Sequence, residues 1–78
     1  MLNFDIVYEK ITANQDKIYH IQVLPKDVII FGNILESLEG WAFYSTIDSK
    51  NSIMLVEAIK DYVSEIEKLL DKMKRYDF

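Results

Sequence analysis

The stretch from Asp27 to Asp48 constrains the fold of this chain more than any other, because a helical pattern passes directly into a strand pattern there. Asp27 follows Pro25, and its carboxylate is suited to cap the first free amides of a helix. The helix is expected to run to Glu39 and to stop at Gly40, since glycine enters the left-handed conformation easily. Its apolar residues recur at three- and four-residue spacing and predict one buried face: Phe31, Ile34, Leu35 and Leu38.

After Gly40 the apolar pattern changes to a period of two, which is typical of a strand. The strand is expected to span 41–48, and alternation places successive side chains on opposite faces of the sheet. The expected faces are Trp41, Phe43 and Ile47 on one side, and Ala42, Tyr44 and Thr46 on the other.

Gly32 stands out because it lies inside the expected helix, where glycine costs roughly 1 kcal/mol against alanine. Such a cost predicts that the position needs room. Two explanations remain open, which are close approach of the helix to a sheet and a ligand that approaches the backbone.

The residues around this stretch predict three more strands and one more helix. Alternating polar and apolar residues favour strands at 3–11, 17–24 and 52–57, with polar turns between them. From 58 to about 75 the apolar residues recur at helical spacing, opposite lysine and acidic residues. The apolar stripe of this last helix consists of Ile59, Tyr62, Val63, Ile66, Leu69, Leu70, Met73 and Tyr76. Part of the stripe fits a coiled coil, but its width favours packing on a sheet.

Length and composition predict one small folded domain over residues 1–78. The chain is 50% hydrophobic, which argues against disorder, and it has no cysteine for disulfides or thiolate metal sites. The sequence does not show the basic residues followed by an apolar run that are typical of a secretory signal. Its apolar runs are also far shorter than the roughly 20 residues that cross a bilayer. We therefore expect a soluble cytoplasmic protein. The net charge of −4 argues against nucleic acid and anionic membranes as partners.

The expected element order is β-β-α-β-β-α, an α+β arrangement. Without its first strand, this order matches the first five elements of the ferredoxin-like βαββαβ unit. The strand at 3–11, returning as a hairpin onto 17–24, is expected to take the place of the missing sixth element. The prediction is therefore a ferredoxin-like two-layer sandwich, with an antiparallel sheet of about four strands and both helices on one face.

Three short segments carry a resemblance to a known family: Val23-Leu-Pro-Lys-Asp-Val28, Leu38-Glu-Gly40 and Ser45-Thr-Ile-Asp48. With the closing helix, residues 17–74 resemble a family of short, uncharacterised bacterial domains of ACT-like or ferredoxin-like appearance. ACT domains bind amino acids at paired interfaces, often through a glycine-bearing turn between the first strand and the first helix. The corresponding turn here, residues 24–27, holds no glycine. The resemblance therefore implies a fold, and no binding residue is carried over.

The sequence offers little catalytic chemistry. His20 is the only histidine, and a zinc site needs several converging ligands, so we expect His20 to face solvent or a partner. The carboxylates are expected on exposed helix faces, whereas acid–base catalysis needs them in a water-poor pocket. Phosphate-binding glycine loops and the GxSxG and HExxH motifs do not occur in the sequence. We expect a protein that is not an enzyme and that uses no metal or cofactor.

Both faces of the expected strands carry apolar side chains, which is unusual where helices cover only one face of a sheet. Exposed apolar faces mark interaction surfaces. We therefore expect a homodimer through the open sheet face, with another protein as a further candidate partner. The candidate interface residues are Ile18, His20 and Tyr44. The alternative is an ACT-like regulatory domain that senses an amino acid or another small molecule at a subunit interface.

Overall fold

The computed structural model of the chain describes residues 3–38 and 40–75. Within them, four strands and two helices follow one another in the expected order. They are β1 (Phe4–Ile11), β2 (Lys17–Val23), α1 (Val28–Glu36), β3 (Ala42–Asp48), β4 (Ile53–Ala58) and α2 (Val63–Arg75). The strands form one antiparallel sheet in the order β1-β2-β4-β3. This is the ferredoxin-like α+β fold, with β1 in the place of the usual last strand, so the predicted fold is confirmed.

The hairpin between β1 and β2 is closed by a polar turn. Thr12 and Asp16 face each other across it, with the Thr12 N–H donating to the Asp16 carbonyl at 2.8 Å. The Asp16 N–H donates in turn to the Thr12 hydroxyl at 3.2 Å. Short side chains that bond to nearby backbone favour turns over helix or strand, and the chain therefore reverses here as expected.

The start of α1 differs from its prediction. A 3₁₀ turn at Pro25–Asp27 precedes the helix, and the expected capping by Asp27 is wrong because its side chain bonds to none of the helix amides. Asp27 has φ −104° and ψ −3°, whereas a capping side chain needs a non-helical, extended backbone. Its buried carboxylate instead accepts a hydrogen bond from the Asn3 N–H at 3.2 Å. Asp27 thus ties the start of β1 to the start of α1.

The end of α1 also differs. The helix stops at Glu36, and Glu39, its predicted last residue, lies outside the described residues. The Ser37 hydroxyl donates to the carbonyl of Ile34, a local bond that competes with continued helix. Gly40 does have the expected left-handed backbone, with φ +88°. It serves the turn into β3 rather than the last helical turn.

The core lies between the sheet and the helix layer. Its central residues come from the two middle strands and from both helices: Tyr19, Ile21, Val23, Met54, Val56, Phe31, Leu35, Ile66, Leu70 and Met73. The stripe of α2 is therefore buried against the sheet, as predicted, and not in a coiled coil. Tyr76, the last residue of the predicted stripe, lies outside the described residues. None of the described helices is long and apolar enough to cross a membrane.

Gly32 does not permit a close approach between α1 and the sheet, so that explanation is wrong. Beyond the adjacent residues and the backbone of α1 itself, a Cβ at this position would have no atom within 4 Å. The predicted need for room therefore has no steric basis within the described residues. A ligand at the backbone of Gly32 stays a prediction.

The two glycines should respond in opposite ways to alanine. We expect Gly32→Ala to raise the free energy of unfolding by about 0.5–1 kcal/mol, because alanine loses less backbone entropy in a helix. Gly40→Ala is the matched control and should lower it by about 1–2 kcal/mol, because alanine strains at positive φ. Urea unfolding of both variants checks this. A Gly32→Ala variant less stable than the natural chain would contradict it.

Candidate functional site

The pairing of β4 with both of its neighbours decides which side chains share a face of the sheet. Val56 lies opposite Tyr19 on β2 and opposite Tyr44 on β3. Side chains directly opposite each other on antiparallel strands point to the same face. Because Tyr19 and Val56 are buried under the helices, Tyr44 belongs to the helix side.

The other side, which we call the open face, carries three rows of side chains that run from β1 to β3. The rows are Lys10, Ile18, Glu57 and Phe43; Tyr8, His20, Leu55 and Ser45; and Asp5, Gln22, Ile53 and Asp48. Neither helix covers this surface, because both contribute their buried residues to the core on the other side.

This arrangement corrects one of the three candidate interface residues. Ile18 and His20 lie on the open face, as expected, but Tyr44 lies on the helix side. Phe43 takes its place, next to Glu57 in the same row as Ile18. The error arose because β2 and β3 do not touch each other. Their relative faces depend on β4, which lies between them.

Trp41 also departs from its expected position beside Phe43. It precedes β3, and its ring stacks on Tyr62, with the centroids 5.0 Å apart and the planes at 3°. Tyr62 belongs to a 3₁₀ turn at Lys60–Tyr62 that comes before α2, rather than to the helix itself. Offset stacking of this kind contributes about 0.5–1.5 kcal/mol beyond area burial. Trp41 thus fastens the start of β3 to the helix layer.

The middle row of the open face is its most apolar part. The Tyr8 and His20 rings lie with their centroids 4.7 Å apart, and Leu55 follows on the next strand. Tyr8 is 47% exposed, and Phe43 in the neighbouring row is 63% exposed. In a sheet covered on one side, the uncovered side is normally polar. The row of Tyr8, His20 and Leu55 crosses three strands without a charged side chain, which is therefore unusual for an uncovered sheet face.

A second cluster of polar side chains lies at the other side of the sheet, between β1, β2 and α2. The Lys17 ammonium lies 2.9 Å from Glu9 and 2.6 Å from Glu67, and the Tyr19 hydroxyl donates to the same Glu67 oxygen at 2.8 Å. The bond from Lys17, followed by that from Tyr19, lowers the pKa of the Glu67 carboxyl. Burial, followed by the bond to Glu67, raises the pKa of the Tyr19 phenol. The cluster fixes α2 on the sheet.

The His20 ring lies against Tyr8 with the two planes tilted by 37°, and it is partly exposed, in keeping with the expected solvent- or partner-facing position. Across residues 3–38 and 40–75, no three histidine, cysteine or acidic side chains come together as metal ligands would. A metal site needs several such groups at about 2.0–2.6 Å from one point. The open face itself carries aromatic and aliphatic side chains with a few charges.

The fold and this surface define a class of protein, the ferredoxin-like α+β domain with one apolar sheet face left open. Residues 21–76 match a family model described as Domain of unknown function (DUF4911), and the chain belongs to that family. The matched region begins within β2 and leaves β1 outside it. No curated protein and no solved structure matches the chain. The expected membership of a family of short uncharacterised domains is confirmed.

The Glu67 cluster should make stability depend on acid pH. The folded-state pKa of Glu67 lies below its usual value of 4.5, so its contribution is present above that value and is lost as the pH falls through the lowered pKa. We expect Glu67→Gln to reduce the free energy of unfolding at neutral pH by up to about 1 kcal/mol, since the carboxylate is half exposed and screened.

The measurement is urea unfolding at several pH values. The deficit of Glu67→Gln should shrink as the pH falls from neutral through 4.5 and below, because the natural chain then loses the same interaction. Glu65→Gln is the control, since Glu65 makes only a 4.0 Å contact with Lys68 within the same helix. A Glu67→Gln deficit that stays constant across this range would contradict the assignment.

Proposed function

We propose that this protein is a non-enzymatic interaction module that forms a homodimer through the open face. The apolar middle row of Tyr8, His20 and Leu55 carries the proposal. Apolar surface removed from water stabilises association by roughly 25 cal/mol per Å². A second copy offers a sheet face of the same composition, so two open faces packed about 10 Å apart would shield each other.

The charges of the first row also suit a second copy. Ile18 lies between Lys10 on one side and Glu57 on the other. A two-fold axis that runs along β2 would set Ile18 against its own copy and Lys10 against Glu57 of the second copy. Opposite charges would then meet at the rim of the interface. Such pairs favour the correct alignment of the two copies more than they increase the affinity of the dimer.

The proposal that the module is not an enzyme draws support from the cluster around Glu67. Its titratable groups bond to one another, since Lys17 lies between Glu9 and Glu67, and Tyr19 donates to Glu67. A catalytic acid or base must instead have its proton available to a substrate. These side chains therefore support a structural role in holding α2 on the sheet.

We also propose that the module works in the cytoplasm. The chain has no cysteine, whereas small secreted domains commonly depend on disulfides for stability. A reducing compartment is consistent with this composition.

Leu55→Lys tests the face-to-face contact. Leu55 lies at the centre of the open face on β4, where a lysine would bury its charge against Tyr8 of the second copy without a partner of opposite charge. We expect the solution mass measured by light scattering to fall by half, with circular dichroism unchanged. Ile29→Lys is the matched control, because Ile29 is 76% exposed on α1 and lies away from the open face. An unchanged mass for Leu55→Lys would refute the face contact.

A groove favours the alternative of an ACT-like sensor as a second candidate. It has a volume of about 630 Å³ and lies beside the turn between β2 and α1, and Lys50, Lys74 and Gln22 are among its lining residues. Ammonium and amide groups suit a carboxylate ligand, although Lys74 already lies 3.5 Å from Asp5. The natural amino acids should be tested singly for a rise in melting temperature, about 4–8 °C per kcal/mol of binding stabilisation. If none of them raises the melting temperature, the hypothesis of an amino-acid sensor is excluded.

A further inference from the structure

The two edges of the sheet differ in their protection against other strands. β1 carries Asp5, Glu9 and Lys10 and has a bulge at Val7. β3 has no lysine or proline, and Asp48 at its end is its one charged residue. Natural edge strands carry charges, prolines or bulges because free backbone groups recruit further strands. The bulge of β3 lies near that end, between 46 and 48, and leaves 42–46 regular and unprotected.

The hydrogen bonds of the sheet show which residues of β3 bond to β4. The Ile59 N–H donates to the Trp41 carbonyl at 3.0 Å, and these residues lie opposite each other by continuation of the β3–β4 register. In an antiparallel ladder, hydrogen-bonded pairs alternate with pairs that exchange no bond. Odd-numbered residues of the regular part of β3 therefore bond to β4, and even-numbered residues direct their backbone groups away from the sheet.

Tyr44 and Thr46 are thus the residues whose N–H and C=O groups point outward from the regular part of β3. Ala42 also has outward groups, but its N–H is already bonded to the Leu38 carbonyl at 3.2 Å. In the strand order β3 is an edge, so no described strand lies beside Tyr44 and Thr46. An extended strand placed there would form backbone hydrogen bonds with these N–H and C=O groups at the spacing of a regular sheet.

We propose that β3 of a second copy of this chain occupies this edge, antiparallel about a two-fold axis at Ser45, and joins two four-stranded sheets into one. Tyr44 then exchanges N–H···O bonds with Thr46 of the second copy, and Thr46 exchanges them with Tyr44 of the second copy. Asp48 falls beside Ala42 of the second copy, so no like charges face each other across the strands. The edge is therefore complementary to itself in hydrogen bonding, and its one charge does not meet its own copy.

Side chains and shape around the edge also suit a second copy. Phe43, Tyr44 and Ile47 are exposed along this one strand, and strand pairing covers them together with the backbone. A groove of about 430 Å³, lined in part by Leu35 and Tyr44, lies beside the edge and gives room for side chains of the second copy. Because β1 is protected, the edge contact by itself closes as a two-fold dimer.

This contact goes beyond the proposed face-to-face dimer, because it uses the edge of the sheet and leaves the open face uncovered. The two sheets would present their open faces side by side as one continuous surface. The axis along β2 and the axis at Ser45 lie two strands apart and do not meet, so both contacts together build an assembly larger than a dimer. Loss of either contact leaves a dimer. A readout specific to the backbone of β3 is therefore needed to tell the two contacts apart.

Amide hydrogen exchange provides that readout. The Tyr44 and Thr46 amides should exchange at least about tenfold more slowly in concentrated, associated protein than in dilute protein. The Phe43 amide is the internal control, because β4 protects it in every state. Association by the open face alone would leave Tyr44 and Thr46 fast. That result, or a chain that is monomeric at every concentration, overturns the edge contact.

Tyr44→Pro tests the same contact by mutation. Proline removes the outward N–H without breaking a bond to β4, so the fold should persist. The solution mass should fall to that of a monomer where the edge is the sole contact, and to that of a dimer where the open face also associates. Tyr44→Val is the control that keeps the N–H and should retain the mass of the natural chain. A Tyr44→Pro variant that folds and keeps the full mass overturns the proposal.

A second pair of variants covers the case in which Tyr44→Pro does not fold. Ser45 lies at the proposed axis, so Ser45→Lys alone and Ser45→Glu alone should each lose protection at Thr46, because like charges meet their own copies. An equimolar mixture should regain that protection, since opposite charges then meet across the axis. Failure of the mixture to slow Thr46 exchange overturns the edge contact even when the open face still associates.

Discussion

The antiparallel pairing of β4 between β2 and β3 is the contact on which the rest of this structure depends. It places Val56 between Tyr19 and Tyr44, and thereby assigns the side chains of three strands either to the helix side or to the open face. A shift of one residue in this pairing would exchange the two faces of a strand. The burial of Tyr19, Val56 and Ile21 under the helices holds the register, because the alternative would expose them to water.

Polar contacts then fasten the outer elements to this central pair. Asp27 holds the start of β1 through the Asn3 amide, and Glu67 holds α2 through Lys17 and Tyr19. These bonds join positions that lie far apart in the sequence, by 24 residues for Asp27 and by about 50 for Glu67. Each of them depends on the tertiary structure, since only the folded sheet brings these positions together.

The surfaces left over by this arrangement are the ones on which the proposed contacts rest. Both helices cover one side of the sheet, so the apolar middle row on the other side has no cover within the described residues. β3 ends the sheet with outward backbone groups at Tyr44 and Thr46 and with exposed aromatic side chains. A domain of this size has a small core, and burial of further surface by association is a physical route to greater stability.

The sequence by itself determined the element types and their order, because periodicity, turn residues and chain breaks act over a few neighbouring positions. It therefore predicted the ferredoxin-like fold and the presence of an apolar open face that includes Ile18 and His20. Only the tertiary structure decided the side of Tyr44, the partner of Asp27 and the absence of crowding at Gly32. These properties depend on which distant strand or helix lies beside each residue, and that is set by packing of the whole chain rather than by any local pattern.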